Sequence, residues 1–541
     1  MKKLTLTNGK VYVERGHFAQ AVYAEDGVIR LVGTNDEVLA AAGADAQVLD
    51  CGGRTVIPGL NDSHMHLLMI GTGLSTAQTA GVTSMAELIQ RVRDFIRENP
   101  EAARNGVRST GWNQDLFTDE KRMPTRWDLD KISTEIPIFL RRVCGHVGVC
   151  NSKIIEMLGL DEQLQEVSGG TIELDENGRP NGIFTENAND LPESCIPILS
   201  LEDYERAFLK GAEYALSHGI TSVQSNDAGN CNLTMPQLFD MVRGIYDKEA
   251  CPLRYRHQVC FHDVEEFKAY VEGEYRHGRY DRPDMLALGP LKLFKDGSLG
   301  GRTGTMRQGY LDDPGNYGVE TTTDADMDAF CQVAADAGIQ VVTHVIGDKA
   351  IEDTITNYER VMPEGKNPLR HALVHCQITD RPLLERIVKD DILVMYQPIF
   401  LDYDMHAVIS RCGEELSSTS YAFKTVEDLG GHVSYGTDSP VEDCNPFPNL
   451  YSAVTRKDKK GWPEGGFFPQ ECVDVPQAID AYTAGSAYNE FREADKGRIK
   501  PGFLADLVVL DTDIFTCDPM KIRDILPVTT IVGGKVAWQK Q

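Results

Sequence analysis

Val56-Ile57-Pro58-Gly59-Leu60-Asn61-Asp62-Ser63-His64-Met65-His66 is an apolar run that ends in two histidines one residue apart. In an extended strand, side chains at i and i+2 share a face, so His64 and His66 project together from one strand end. Neutral imidazole nitrogens are good ligands for zinc and similar divalent ions. Two ligands on one strand make an incomplete site, so the others must come from elsewhere in the chain.

Downstream, strand-like runs alternate with helical patterns, the βα rhythm of a parallel sheet. The runs are 219–224, 255–260, 291–296, 340–344, 372–375, 392–396 and 433–438. With the strand ending at His66 they number eight, which closes into a (β/α)8 TIM barrel over 58–495. The spacing is uneven, and roughly residues 70–205 form an insertion after the first strand. Both chain ends are β-rich. Lys10–Val13, Ala21–Ala24 and Val28–Gly33 at one end answer Ala505–Asp511 and Thr529–Val536 at the other. Residues 1–57 and 496–541 are therefore expected to pair into one small sheet domain.

Composition narrows the partners. The net charge is −28, which argues against nucleic acid and anionic membranes. The beginning Met1-Lys2-Lys3-Leu4 has no apolar signal region, and no segment is long and apolar enough to span a bilayer. Thirteen cysteines, an odd number without a CxxC pair, fit reduced thiols and a cytoplasmic protein.

Barrel enzymes display their chemistry at the C-terminal ends of strands. His64 and His66 end the first strand, Lys292 lies in the fourth, and His344, His375 and Asp438 end the fifth, sixth and eighth. Several histidines and a carboxylate can hold one or two divalent ions with a position open for water. Asp438 is suited to take a proton from that water and return it to a leaving amine. An ammonium repels a metal, so Lys292 fits only if deprotonated, or converted by carbon dioxide to a carbamate bridging two ions. Singly, each residue has a structural explanation: a satisfied polar group, a turn cap or a buried-stem lysine. Their recurrence in barrel order is harder to explain that way.

Further stretches carry a family resemblance: Gly111-Trp112-Asn113-Gln114, Arg142-Val143-Cys144-Gly145-His146, Gly182-Ile183-Phe184-Thr185-Glu186, Leu291–Leu299, His344–Asp348, His375-Cys376-Gln377, Gln397-Pro398, Gly436–Pro440 and Gly497–Asp511. Together with the opening run they resemble the amidohydrolase superfamily, in its amidohydrolase family 3, YtcJ-like branch. The resemblance implies a metal-dependent hydrolase whose barrel carries a composite β-sandwich built from both termini. It implies His64, His66, His344 and His375 as metal ligands, Asp438 as the proton-shuttling carboxylate, and Lys292 as the lysine carbamylated in binuclear members. Alternation puts Lys295 on the opposite face from Lys292, which favours Lys292. Inside the insertion, Trp112 is expected to give the substrate an aromatic wall and His146 a polar contact, with Glu186 orienting either one.

The expected activity is hydrolysis of a non-peptide C–N bond in a small molecule, such as an amide, formamide or cyclic amide, by metal-activated hydroxide. A rival within the fold is deamination of an aminated heterocycle, with Asp348 protonating a ring nitrogen. A non-catalytic scaffold would be expected to lose ligands, and none is missing. The glycine-rich loop Asp296–Gly304 with Arg302 is either an anion cradle or a flexible βα loop, and His257 and His262 are taken as structural. Substrate, metal count and oligomeric state, a homodimer included, stay open.

Overall fold

The computed structural model describes residues 2–144, 146–196, 199–229, 231–275 and 284–541. Gly145, within one of the quoted motifs, lies outside them. The chain divides into two compact units, one formed by residues 1–67 with 212–541 and the other by 68–211.

The larger unit is built on an eight-stranded parallel sheet: Leu60–Met65 (β1), Ile220–Ala228 (β2), Arg254–Cys260 (β3), Leu286–Phe294 (β4), Val341–Val345 (β5), Ala372–His375 (β6), Leu393–Tyr396 (β7) and Val433–Tyr435 (β8). Each strand pairs with its neighbours in chain order. The strands are buried over most of their length; β6 and β7 read as near-continuous apolar runs, as parallel strands covered on both faces do, whereas β1, β2 and β3 bury many polar side chains. The ladder's two edges, β1 and β8, are brought together just past the end of β8. There Asp438 N donates to His64 O at 2.8 Å, and His66 N to Ser439 O at 2.8 Å. Asp62 reinforces the seam by accepting from the Thr437 hydroxyl at 2.7 Å. Gly436 permits this approach, since a Cβ there would lie 2.7 Å from His64 N.

Three strands differ in extent from the sequence expectation: β2 runs on to Ala228 rather than ending at 224, and β8 and β4 are shifted as well. β8 stops at Tyr435, because Asp438 adopts a left-handed backbone (φ 55°) that no strand continues. β4 starts earlier, at Leu286, and stops at Phe294.

The termini contribute two further sheets. One orders Lys535–Gln539, Pro527–Val532, Leu507–Leu510, Thr55–Pro58, Lys10–Glu14 and His17–Ala19, so strands from both chain ends share a ladder. The other orders Val28–Gly33, Ala21–Glu25, Lys3–Thr7 and Gln47–Asp50. Leu6, Val11, Val22, Val56, Leu507, Val509 and Ile531 are buried together between them. The run read as 529–536 is a hairpin, reversed at Gly533 and Gly534 (φ 54° and 66°), where glycine supplies the two positive φ angles that a tight hairpin turn needs.

The smaller unit holds a five-stranded sheet ordered Gly170–Leu174, Pro180–Glu186, Val147–Cys150, Ile138–Arg142 and Val107–Trp112. Helix Met85–Glu98 starts at the Ser84 cap and buries Met85, Leu88, Ile89, Val92 and Phe95, an apolar stripe at helical spacing. Among the described residues no helix is long and apolar enough to cross a membrane.

Candidate metal centre

The C-terminal ends of β1, β4, β5, β6 and β8 bring His64, His66, Lys292, His344, His375 and Asp438 into one region. Asp438 Oδ1 lies 3.2 Å from His64 Nε2 and 3.2 Å from His66 Nε2. Donor atoms of His64, His375 and Asp438 all fall within 4.8 Å of one another. The His344 and His375 rings meet edge to face at 4.5 Å, and those of His64 and His375 at 5.8 Å.

The tautomers are set from behind. His64 Nδ1 lies 2.6 Å from Gln258 Oε1, and Gln258 Nε2 donates to Ser63 O at 2.9 Å, which fixes the amide's orientation. His375 Nδ1 meets Gln397 Oε1 at 2.6 Å, and Gln397 Nε2 donates to Met395 O. His66 Nδ1 donates to Asn226 O at 2.8 Å. Each acceptor requires a proton on Nδ1, so each Nε2 carries its lone pair inward. His344 is reversed: its Nε2 donates to Gly297 O at 2.8 Å, leaving Nδ1 as the donor atom.

Electrostatics favour the ligand forms at His64, His344, His375 and Asp438, whereas at His66 burial lowers the pKa but the pairing with Asp438 outweighs it and raises it. Burial lowers the pKa of His64 and holds His375 well below the usual imidazole range. Burial, with the Lys292 charge, takes His344 down to about 3. Burial opposes the charge of Asp438, yet its pairing with His64 and His66, made when those imidazoles also carry a proton on Nε2, outweighs burial and holds the carboxyl well below its ordinary value; a bound cation would take the place of those protons. Neutral imidazoles and an ionised carboxylate are the forms that bind a divalent ion. The spacing fits as well, because neighbouring ligand atoms around a tetrahedral ion with ordinary Zn–N bonds sit about 3.3 Å apart. His375 and Asp438 both hold positive φ (72° and 55°), a strained backbone of the kind found at functional sites.

Lys292 is fully buried, and burial lowers its pKa to about 8. Its Nζ donates to Leu293 O and lies 3.5 Å from the Phe294 ring centroid. Among the described residues it forms no ion pair. Lys295 points the other way, with Nζ 2.6 Å from both Glu320 Oε1 and Asp324 Oδ1, so its amine is occupied.

Other sequence expectations meet a different environment. Trp112 is a core residue of the smaller unit, 1% exposed, with its indole N–H donating to Leu140 O at 3.0 Å. It packs among Leu129, Leu140 and Val149 and presents no wall to a ligand, because its rigid ring fills that core. His146 and Glu186, both exposed, pair at 2.9 Å on the same unit. Asp348 opens helix Asp348–Glu359, where it accepts from Arg307 N at 2.9 Å, and burial raises its pKa. Arg302 is engaged by both oxygens of Asp312, so the glycine-rich loop offers no free guanidinium for an anion. His257 is buried between the Phe239 and Tyr255 rings. Gln258 and Gln397 were missed as functional residues. Gln397 stood inside a quoted motif, but nothing in a lone glutamine announces that it orients a histidine.

Comparison with known proteins agrees with this geometry. The family model Amidohydro_3, described as an amidohydrolase family, matches residues 47–537. The Bacillus subtilis (strain 168) protein YtcJ is 29% identical over 98% of this chain and 97% of its own. The N-substituted formamide deformylase of Arthrobacter pascens is 26% identical over 100% of this chain and 99% of its own. A solved structure titled as an uncharacterized metal-dependent hydrolase from Pyrococcus furiosus superposes with a TM-score of 0.75 at 26% identity, covering 95% of this chain and 100% of that one. This chain therefore belongs to the amidohydrolase family, and within it to amidohydrolase family 3, the branch its motifs resemble.

Proposed function

We propose that the protein is a metal-dependent hydrolase of a non-peptide C–N bond in a small molecule, such as an amide, formamide or cyclic amide. The observation that carries this is the pair of His64 and His66 Nε2 atoms, each 3.2 Å from Asp438 Oδ1, with their Nδ1 atoms committed to acceptors behind. His64, His66, His344, His375 and Asp438 would hold zinc or a similar divalent ion. Such an ion, when bound, lowers the pKa of water and polarises a substrate carbonyl.

Asp438 supplies the proton chemistry. Its carboxylate, ionised at neutral pH, accepts the proton released as water oxygen bonds to the carbonyl carbon. As the C–N bond breaks, Asp438 returns that proton to the departing nitrogen, leaving a carboxylic acid and an amine. Lys292, with its pKa near 8, has the free-amine form within reach at neutral pH. That form adds carbon dioxide and loses a proton to become a carbamate, which would give the centre a further oxygen ligand and room for a second ion. The formamide deformylase relative, similar over the full length of both chains, supports C–N chemistry.

The test is elemental analysis of purified protein, followed by assay of metal-loaded enzyme on N-substituted formamides, linear amides and cyclic amides. Bound divalent metal and amine release from at least one class are expected. Metal-free protein of full activity, or ammonia release from aminated heterocycles alone, would overturn the reading.

A further inference from the structure

Four aromatic rings line one arc of the centre. Phe294 lies 5.5 Å from His344, His344 lies 4.5 Å from His375, and His375 lies 5.5 Å from Phe400 with the two rings nearly parallel at 14°. The outer two are phenylalanines. Phe294 ends β4, in register with His344 on β5. Phe400 sits in the short turn after β7, three residues beyond Gln397.

Both phenylalanines are partly exposed, whereas their apolar neighbours Leu293 and Ile399 are buried. The polar residues beside them are also partly open: the His344 side chain is 17% exposed, His66 13% and Asp438 10%, while His64 is nearly closed off at 2%. Two partly exposed apolar rings thus stand against the histidines of a centre built from charged and polar groups. Neither ring is needed to orient the histidine beside it, since Gly297 O and Gln397 Oε1 already fix those imidazoles. The backbone of each is held in place: the Thr321 and Thr322 hydroxyls donate to Phe294 O at 2.7 and 2.6 Å, and Phe400 N donates to Gln397 O at 3.0 Å, while the rings rest against His344 and His375. Fixed apolar surface beside a reacting centre lowers the cost of binding an apolar group there.

We propose that Phe294 and Phe400 are specificity-determining residues that select substrates carrying a flat apolar group next to the scissile C–N bond. The proposal rests on the metal centre put forward above. A small polar amide would leave both rings wet, and a charged substituent would lose its hydration against them. A planar apolar substituent buries its own surface and theirs together, with ring-on-ring contact adding to the gain.

The probes are acetohydroxamate and benzohydroxamate, which share a metal-chelating head and differ in a methyl against a phenyl group. Their binding to metal-loaded enzyme is measured by calorimetry, so no turnover is required. Wild-type protein should favour benzohydroxamate by about tenfold. Phe294→Ala and Phe400→Ala should each lower that ratio while leaving acetohydroxamate affinity unchanged. Equal affinities in wild type, or a ratio preserved in both variants, would overturn the proposal. So would variants that weaken both probes alike, because the rings would then serve to support the ligand histidines. If wild type bound neither hydroxamate, the metal centre itself would fall and the proposal with it.

Discussion

Gln397 clamps His375 to its own strand: Oε1 lies 2.6 Å from His375 Nδ1, while Nε2 donates to Met395 O at 3.0 Å. One side chain thus settles both the tautomer and the ring plane of a proposed ligand. Gln397→Leu should weaken metal binding about 10–100-fold, as loss of such a partner does at other metal sites. Gln397→Glu, which keeps the acceptor, should retain most of it. Competition with a chelator reads both, and unchanged affinity in the Leu variant would remove the orienting role.

Asp438 is the only carboxylate paired with both His64 and His66 among the described residues. Asp438→Asn keeps the shape and loses the base. Turnover should fall by about 10²–10⁴-fold with metal still bound. Near-normal kcat would contradict the assigned proton transfer.

Lys292 has its amine buried beneath Phe294. If the amine is a carbamate in the loaded enzyme, Lys292→Ala should lower the metal content per chain, measured by elemental analysis. Unchanged stoichiometry would instead identify a single-ion centre.

His371, buried below the site, accepts a hydrogen bond from Val341 N at 2.9 Å through Nδ1, so it must be neutral there. Burial lowers its pKa to about 4. The unfolded chain, with an ordinary histidine near 6.5, binds the proton first. Stability is therefore full above about pH 6.5 and declines as pH falls toward 4, by on the order of 3 kcal/mol from this group. His371→Asn should show a shallower loss between pH 7 and 4.5 in denaturant titrations than wild type. Equal slopes would mean that His371 does not carry the effect.

Arg254 on β3 grips Asp506 with two hydrogen bonds, 2.7 and 2.9 Å, both side chains being buried. Asp506 also accepts from Gly533 N at 2.8 Å, so the pair ties the barrel to the sheet made by the termini. Arg254→Met strands a buried carboxylate and should cost about 3–5 kcal/mol. A thermal or denaturant midpoint equal to wild type would show that the tie is not needed.

The barrel strands were legible because short β-rich runs recur between stretches of helical periodicity, most plainly where the run is apolar, as in Ala372–His375 and Leu393–Tyr396. The proposed ligands were legible because a polar residue ending such a run stands out. Trp112 was misread for a related reason: a large aromatic in a loop-rich stretch looks the same whether it faces a ligand or a core, and only the packing of the smaller unit put it inside. Lys292 and Lys295 were told apart by strand alternation alone, and the carboxylates around Lys295 account for that residue's outward turn.

By itself, the sequence determined the strand order, the residue types at the strand ends and therefore the kind of chemistry available. Tertiary structure decided where those residues aim. Alternation places Val374 with Val342 on one face and would send His375 to the other; a φ of 72° turns it into the cluster instead. The glutamines that fix the imidazoles are likewise supplied by other strands or by the chain just past a strand end. Periodicity is a local property that a sequence records, whereas a left-handed residue and its hydrogen-bond partners are held in place only by the rest of the barrel.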